Sequence, residues 1–386
     1  MKKKVCHIIT RLIQGGAQEN TVATVELLNL SKEYEASLIT GPAIGPEGTL
    51  IPQARSNIRN VEVINELRRQ INPFYDLIAF IKLAVLLKKG RYDIVHTHSS
   101  KAGIIGRIAA KIAGVKCIIH TIHGLPFHGY QNRPLNKFYV LLERFVSGFT
   151  DKIIVVAGIL ADKAAAEHVA PRDKFETIYS GMDLGSFYDT DNDIGALRKS
   201  LGFNEDDVVI GKVARLFHLK GHDYVIDAVK EIAAEYPNIK ILFVGGGILE
   251  ERLNALVREA ALDKCVYFTG LVNASEVPKF IGCMDIVVHT SLREGLPRVI
   301  PQAYACGKPV IAFDIDGACE VVEDGVSGYL VPPGDMKTLK GSIVKLAGDR
   351  ELRIRMGEAG KKRVDPVFSN EYMVKRIEEL YNEILR

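Results

Sequence analysis

Short unbroken runs of apolar residues, each followed by a turn and then by helical periodicity, recur along nearly the whole chain. "VCHIIT" (5–10), "EASLIT" (35–40), "IVHTH" (94–98), "KCIIHTIH" (116–123) and "KIIVV" (152–156) are of strand length. A strand with one wet face alternates apolar and polar residues. These runs do not alternate, so both of their faces are expected to be covered. Helical stretches stand between them, as at 20–30 and in "SSKAGIIGRIAAKIAG" (99–114). The alternation then restarts with "VVIGKVA" (208–214), "IKILFVGGG" (239–247), "CVYFTG" (265–270), "DIVVHTS" (285–291) and "KPVIAFD" (308–314). Strands alternating with helices specify a parallel sheet with helices on both faces. Two series specify two doubly wound α/β domains, and 386 residues is enough chain for both. The polar, acidic segment 184–206 reads as the linker, which puts the domains at 1–183 and 207–369.

Charge is divided unevenly. Residues 1–150 hold 20 Lys and Arg against 10 Asp and Glu, whereas 151–386 hold 30 against 37. A basic half points to an anionic partner: nucleic acid, a phosphorylated substrate or an anionic membrane. The plainer reading is a solvated basic surface. No RNP or zinc-finger pattern and no Trp is present, so nucleic acid is not expected. The six cysteines form no C-x-x-C pair and read as reduced thiols of a cytoplasmic protein. "MKKKVCHIIT" is too short in apolar residues for a signal peptide. "DLIAFIKLAVLL" (76–87) contains Lys82 and is too short to span a bilayer. Membrane contact is therefore expected to be peripheral only.

In doubly wound sheets ligands bind outside the carboxyl ends of the strands, so the loops after strands carry the chemistry. In "GKVARLFHLKGHDYVI" (211–226), Arg215 leaves a strand end and Lys220 precedes a helix. An Arg that binds bidentately and a Lys acting as a point charge suit a diphosphate; the alternative is two solvated loop cations. In "TSLREGLPRVIPQAYACGKPV" (290–310), a turn leads to a helix expected to start near Pro297. Main-chain N–H groups of Gly295, Leu296 and Arg298 would face an anion there. Glu294 before them would repel a phosphate but accept hydrogen bonds from sugar hydroxyls; the plainer reading is a helix cap. Gly15-Gly16 allows close backbone approach to a ligand but lacks the G-x-G-x-x-G spacing. The glycines around Gly246 in "VGGGILEERL" read as a nucleotide contact or a tight turn. His123 ends its strand and faces a ligand cleft, while His120 reads as a packed core residue. No metal-ligand spacing links the histidines, and no metal is expected.

Taken together, "GGAQ", "HTHSSKAG", "HTIHG", "SGMD", "VARL…KG", "VGGG" and "EGLP…Q…GKPV" resemble the retaining GT-B glycosyltransferases of family 4, over nearly the whole chain. The resemblance implies two Rossmann-like domains facing a central cleft, the first binding acceptor and the second a nucleotide-sugar donor, most often a UDP-sugar. It implies that the final amphipathic helix (370–386) crosses back onto the first domain. Gly16, Arg215 and Lys220 correspond to groups around the donor diphosphate, and Leu296 and Pro297 to the loop facing phosphates and sugar. Glu294 corresponds to the carboxylate that holds sugar hydroxyls, His123 to the cleft histidine, and main-chain Val272 to the nucleobase contact. The family carries Glu at both ends of an E-x7-E motif; here the second position is Gln302. An amide keeps one acceptor but loses the charge, which is expected to weaken ribose binding while leaving the chemistry intact. No cofactor beyond the donor is implied. A donor-binding but inactive partner subunit is the competing reading that Gln302 raises. Segments 65–91 and 131–149 mix aromatic, aliphatic and basic residues in the manner of interfacial helices. They favour a lipid-linked sugar acceptor at the inner membrane face, unless their apolar faces pack on the sheet.

Overall fold

The computed structural model describes residues 2–45, 48–190 and 194–386; residues 191–193, within the segment read as a linker, lie outside them. The chain divides into two compact units, Met1–Met182 with Phe368–Arg386, and Asp183–Val367.

The first unit is built on seven strands: β1 (Lys3–Ile9), β2 (Tyr34–Thr40), β3 (Val61–Val63), β4 (Ile94–His98), β5 (Cys117–Ile122), β6 (Lys152–Val155) and β7 (Phe175–Thr177). They lie in the order β3-β2-β1-β4-β5-β6-β7, and every neighbouring pair is parallel. The order reverses between β1 and β4. Separate apolar clusters line the sheet, one containing Val5, Ile9, Leu38 and Ile119, the other Cys6, Ile8, Ile39 and Ile118. Consecutive residues of one strand thus enter opposite cores, which is why these strands read as unbroken apolar runs.

The second unit carries β8 (Val208–Val213), β9 (Ile239–Val244), β10 (Val266–Phe268), β11 (Ile286–His289), β12 (Val310–Phe313) and β13 (Gly328–Val331). Their order is β10-β9-β8-β11-β12-β13, again parallel throughout. The reversal falls between β8 and β11. β3, β7 and β13, which the apolar runs did not reveal, are edge strands of three or four residues.

The described residues of the segment expected to be a linker, 184–190 and 194–206, belong to the second unit. They form the helices Gly185–Tyr188 and Ile194–Ser200, and Arg198 ties them down by donating to the Asp285 carboxylate at 3.0 Å and to Asp207 O at 2.6 Å. Helices this short show no readable periodicity. The helix Asn370–Ile384 belongs to the first unit, where Met373, Ile377 and Tyr381 share a core with Val5, Val25 and Tyr34.

Two helices of the first unit show an uneven face to solvent. Pro73–Gly90, capped by the Asn72 side chain, buries Ala79, Leu83 and Leu87 but leaves Phe74, Leu77, Ile81 and Val85 exposed. Arg133–Ser147 leaves Phe138, Leu141 and Phe145 exposed. Beneath it, Arg107 of the helix Ser100–Ala113 is fully buried and pairs with Glu143 at 2.6 Å. No helix of the described residues is long and apolar enough to cross a membrane.

Candidate active site

In the second unit, the loops that follow β8 and β11 leave the sheet on either side of its reversal, where a doubly wound sheet opens a crevice. They are latched to each other. Leu292 N donates to Leu219 O at 2.8 Å, and Thr290 Oγ1 donates to Gly221 O at 2.6 Å. Gly221 has φ 68°, and a Cβ there would lie 2.0 Å from Thr290 O. Only glycine permits that approach.

The latch brings Lys220 and Glu294 together, Nζ to Oε1 at 2.5 Å, with side chains 23% and 17% exposed. The Glu294 main-chain N–H donates to the Asp316 carboxylate at 2.7 Å. Burial by itself would raise the Glu294 carboxyl. The charge of Lys220, then the His289 ring and the hydrogen bond from Lys220, outweigh it and hold the carboxyl down at about 2. His289 Nε2 lies 3.6 Å from Glu294 Oε1, but burial pushes that ring down to about 3. It is neutral at ordinary pH and acts as a dipole, not a cation. Arg215 is exposed, its guanidinium 4.9 Å from the centre of the Phe217 ring.

Lys212, inside β8, went unnoticed in the sequence although a lysine within a buried apolar run is itself a signal. It is 1% exposed and its Nζ has no hydrogen-bond partner among the described residues. Burial, and then the charge of Lys220, lower it to about 7 against the attraction of Glu294 and Asp223. From pH 7 up to its ordinary value of 10.5, the unfolded chain therefore holds a proton here that the folded chain lacks. Stability rises with pH across that window. Lys212→Met is expected to stabilise the protein by about 1–3 kcal/mol at pH 7, a gain that shrinks toward pH 10. Thermal midpoints of both forms from pH 6 to 10 check this; parallel curves would refute it.

The glycine triplet after β9 has a structural purpose. Gly245 has φ 137°, and added Cβ atoms at Gly245 and Gly247 would lie 2.3 and 2.4 Å from Ala214 O and Leu216 O. Leu216 N donates to Gly246 O at 3.0 Å. The triplet thus seats the Arg215 loop. Val272 lies partly buried in the loop after β10. The helix expected to start near Pro297 starts at Val299, with Arg298 as its N-cap, so Gly295, Leu296 and Pro297 form a turn ahead of it. Gln302 stands partly exposed within that helix.

In the first unit, the residues at the reversal between β1 and β4 are joined through hydroxyls: Thr10 Oγ1 and Ser99 Oγ lie 2.7 Å apart. Gly15 caps the helix Gly16–Leu30, which begins four residues earlier than its periodicity suggested. Beyond β4 and β5, a cavity of about 170 Å³ is lined by residues including Ser99, Thr121, His120, His123 and Glu143. His120 is 2% exposed and bonds to Thr97 Oγ1 at 2.9 Å, yet it also reaches this cavity. His123 sits at the cavity with Nε2 3.1 Å from His98 Nδ1.

Known proteins are similar to this chain in sequence and in fold. Residues 29–186 match the family model described as Glycosyltransferase Family 4, and residues 193–363 that described as Glycosyl transferases group 1. The chain is 30% identical to the UDP-Gal:alpha-D-GlcNAc-diphosphoundecaprenol alpha-1,3-galactosyltransferase of Escherichia coli, over 100% of this chain and 98% of that one. It is 29% identical to the capsular polysaccharide biosynthesis glycosyltransferase CapM of Staphylococcus aureus, over 83% and 84%. Among solved structures, Anabaena Alr3699/HepE in complex with UDP-glucose shares the fold with TM-score 0.83 and 24% identity, over 98% of this chain and 99% of that one. From strand order to loop motifs, then, this chain belongs to the family 4 glycosyltransferases, enzymes of the GT-B fold that use nucleotide sugars.

Proposed function

We propose that the enzyme transfers a sugar from a UDP-sugar to a hydroxyl of a lipid-linked diphosphate sugar, with retention at the anomeric carbon and without a metal ion. The observation that carries this reading is the Lys220–Glu294 pair, a cation and an ionised carboxylate side by side at the carboxyl end of the second sheet. Such a pair serves a donor that is anionic at one end and hydroxylated at the other. Lys220 and Arg215 stabilise the charge that grows on the departing diphosphate, which is the work a metal would otherwise do. Glu294 accepts hydrogen bonds from sugar hydroxyls, with Gly246 and the main chain at Gly295–Arg298 close to the donor. The acceptor hydroxyl attacks from the face the diphosphate leaves, and a donor phosphate oxygen takes its proton.

The acceptor class rests on two supports. The full-length Escherichia coli relative is named for a diphosphoundecaprenol-linked acceptor. The exposed Phe74, Leu77, Ile81 and Val85 form one stripe, with Lys82, Lys88 and Lys89 on the same helix, a pattern suited to an anionic lipid surface. The test is UDP or GDP release from a panel of nucleotide sugars, with and without undecaprenyl-diphosphate sugars in anionic vesicles. Turnover is expected with one UDP-sugar and only in the presence of the lipid acceptor. Replacing Phe74, Leu77 and Ile81 together by Ser is expected to abolish co-sedimentation with the vesicles while leaving activity on a short-chain acceptor. Donor binding without turnover under every condition would return the weight to an inactive partner subunit.

Gln302 is read as a weakened ribose contact. Gln302→Glu is expected to lower the KM for donor by up to about tenfold, with kcat unchanged, because a neutral hydrogen bond becomes charge-assisted. An unchanged KM would remove Gln302 from the donor site.

A further inference from the structure

Behind His123 lies a row of buried groups to which the transfer as proposed assigns no part. His98 (β4) follows at 3.1 Å, Nδ1 to His123 Nε2. His7 (β1) is next, its Nδ1 2.9 Å from His98 Nε2. Tyr381, on the helix Asn370–Ile384, comes third, its Oη 3.3 Å from His7 Nε2. His96 (β4) follows, its Nδ1 2.6 Å from Tyr381 Oη. Thr121 (β5) ends the row, its Oγ1 2.7 Å from His96 Nε2. His7, His96 and Tyr381 are 0% exposed, His98 1% and Thr121 4%. The His7 and His98 rings stack at 5.2 Å between centroids and 16° between planes.

Ring nitrogens of His7, His96 and His98 lie within 4.8 Å of one another, close enough to suggest a metal cradle. All six of these nitrogens are, however, already engaged along the row. Burial pushes His7 down to about 3, and burial first, then neighbouring rings, hold His96 and His98 well below the ordinary range. The three rings are therefore neutral. A neutral imidazole with both nitrogens bonded donates at one and accepts at the other. Across each ring the sense of one bond fixes the other, and once the Tyr381 hydroxyl donates to one histidine it can only accept from the second. The Tyr381–His96 contact has the length of an O–H donor, while Tyr381–His7 has the length of a weaker N–H donor. Tyr381 thus donates to His96 and accepts from His7, His7 accepts from His98, and His98 accepts from His123.

We propose that this row fixes His123 as its Nε2–H tautomer, so that Nδ1 carries the lone pair with which His123 receives a substrate hydroxyl, and that His7, His98, His96 and Tyr381 are positioning residues acting through it. The substrate part rests on the reading of His123 as a site residue; the tautomer part does not. Three strands and the C-terminal helix each supply a member, so the last helix of the chain acts on a loop far from it in sequence.

The test is long-range 1H–15N correlation of the His rings in protein labelled with 15N-histidine, for the wild type, Tyr381→Phe and the nearly isosteric Thr121→Val. Wild-type His123 is expected as a single Nε2–H tautomer. Tyr381→Phe leaves His96 Nδ1 and His7 Nε2 unpaired, Thr121→Val leaves His96 Nε2 unpaired, and both are expected to admit the Nδ1–H form. In both, kcat is expected to fall by about tenfold or more, with the donor KM within about twofold. A wild-type Nδ1–H tautomer, or a His123 tautomer unmoved in a folded Thr121→Val, would overturn the proposal. A shifted tautomer with unchanged kcat would uphold the row and remove His123 from the reaction, a failure of the functional reading alone.

Discussion

Glu294→Ala is expected to lower kcat/KM for the donor by about 10²–10⁴, the range found when a positioned polar group is removed from a transfer site. Two losses combine. The sugar loses a charged acceptor for its hydroxyls, and Lys220 loses a partner 2.5 Å away. What remains is Lys220 close to Lys212, whose proton Glu294 helps to hold. Glu294→Gln separates the two effects, since it keeps the length and one acceptor but not the charge. The carboxyl stands at about 2 in the folded protein, below its ordinary value of 4.5. Its contribution to stability is thus complete above about pH 4.5 and is lost as pH falls toward 2. Glu294 gives no limb to the pH–rate profile at neutral pH. Steady-state rates, with thermal midpoints to confirm folding, check this; full turnover by a folded Glu294→Ala would end the role given to Glu294.

Glu143→Ala has the largest expected effect on stability, a loss of about 3–5 kcal/mol. Arg107 is 0% exposed in its side chain and meets Glu143 at 2.6 Å; its Nε donates to Gly103 O at 2.7 Å. A guanidinium cannot shed its proton to escape burial. Without Glu143 it is a buried, uncompensated charge. At about 2–4 °C per kcal/mol for a unit of this size, the midpoint falls by roughly 10 °C. The double variant Arg107→Met, Glu143→Leu is expected to recover most of that loss, because an apolar pair replaces a buried ion pair at little cost. A single variant with an unchanged midpoint, or a double no better than the single, would show that the pair is dispensable.

The sequence read alone reached the two sheets because their inner strands are covered on both faces and therefore apolar throughout. It missed β3, β7 and β13, edge strands of three or four residues, whereas the equally short edge strand β10 showed because it lies inside the longer run "CVYFTG". It took 184–206 for a linker because acidic composition hid the anchoring of Arg198. The loops that carry Glu294, Lys220 and Arg215 were legible as strand ends, but the direct pairing of Glu294 with Lys220 was not. Nothing in either loop alone says that Leu292 binds Leu219. His7 and Tyr381 were invisible as partners of His98 and His96, since 374 positions separate His7 from Tyr381 and only the closed fold joins them.

The latch between the loops after β8 and β11 also bears on how donor preference can be redesigned. Leu292, Leu219, Thr290 and Gly221 make the two loops one piece. A graft that imports either loop alone from a relative would bring a backbone cut to fit a different mate. Thr290 O leaves no room opposite anything but glycine at position 221. Chimeras should therefore exchange 214–221 and 290–298 as a matched set, together with the glycines at 245–247 that seat the first of them.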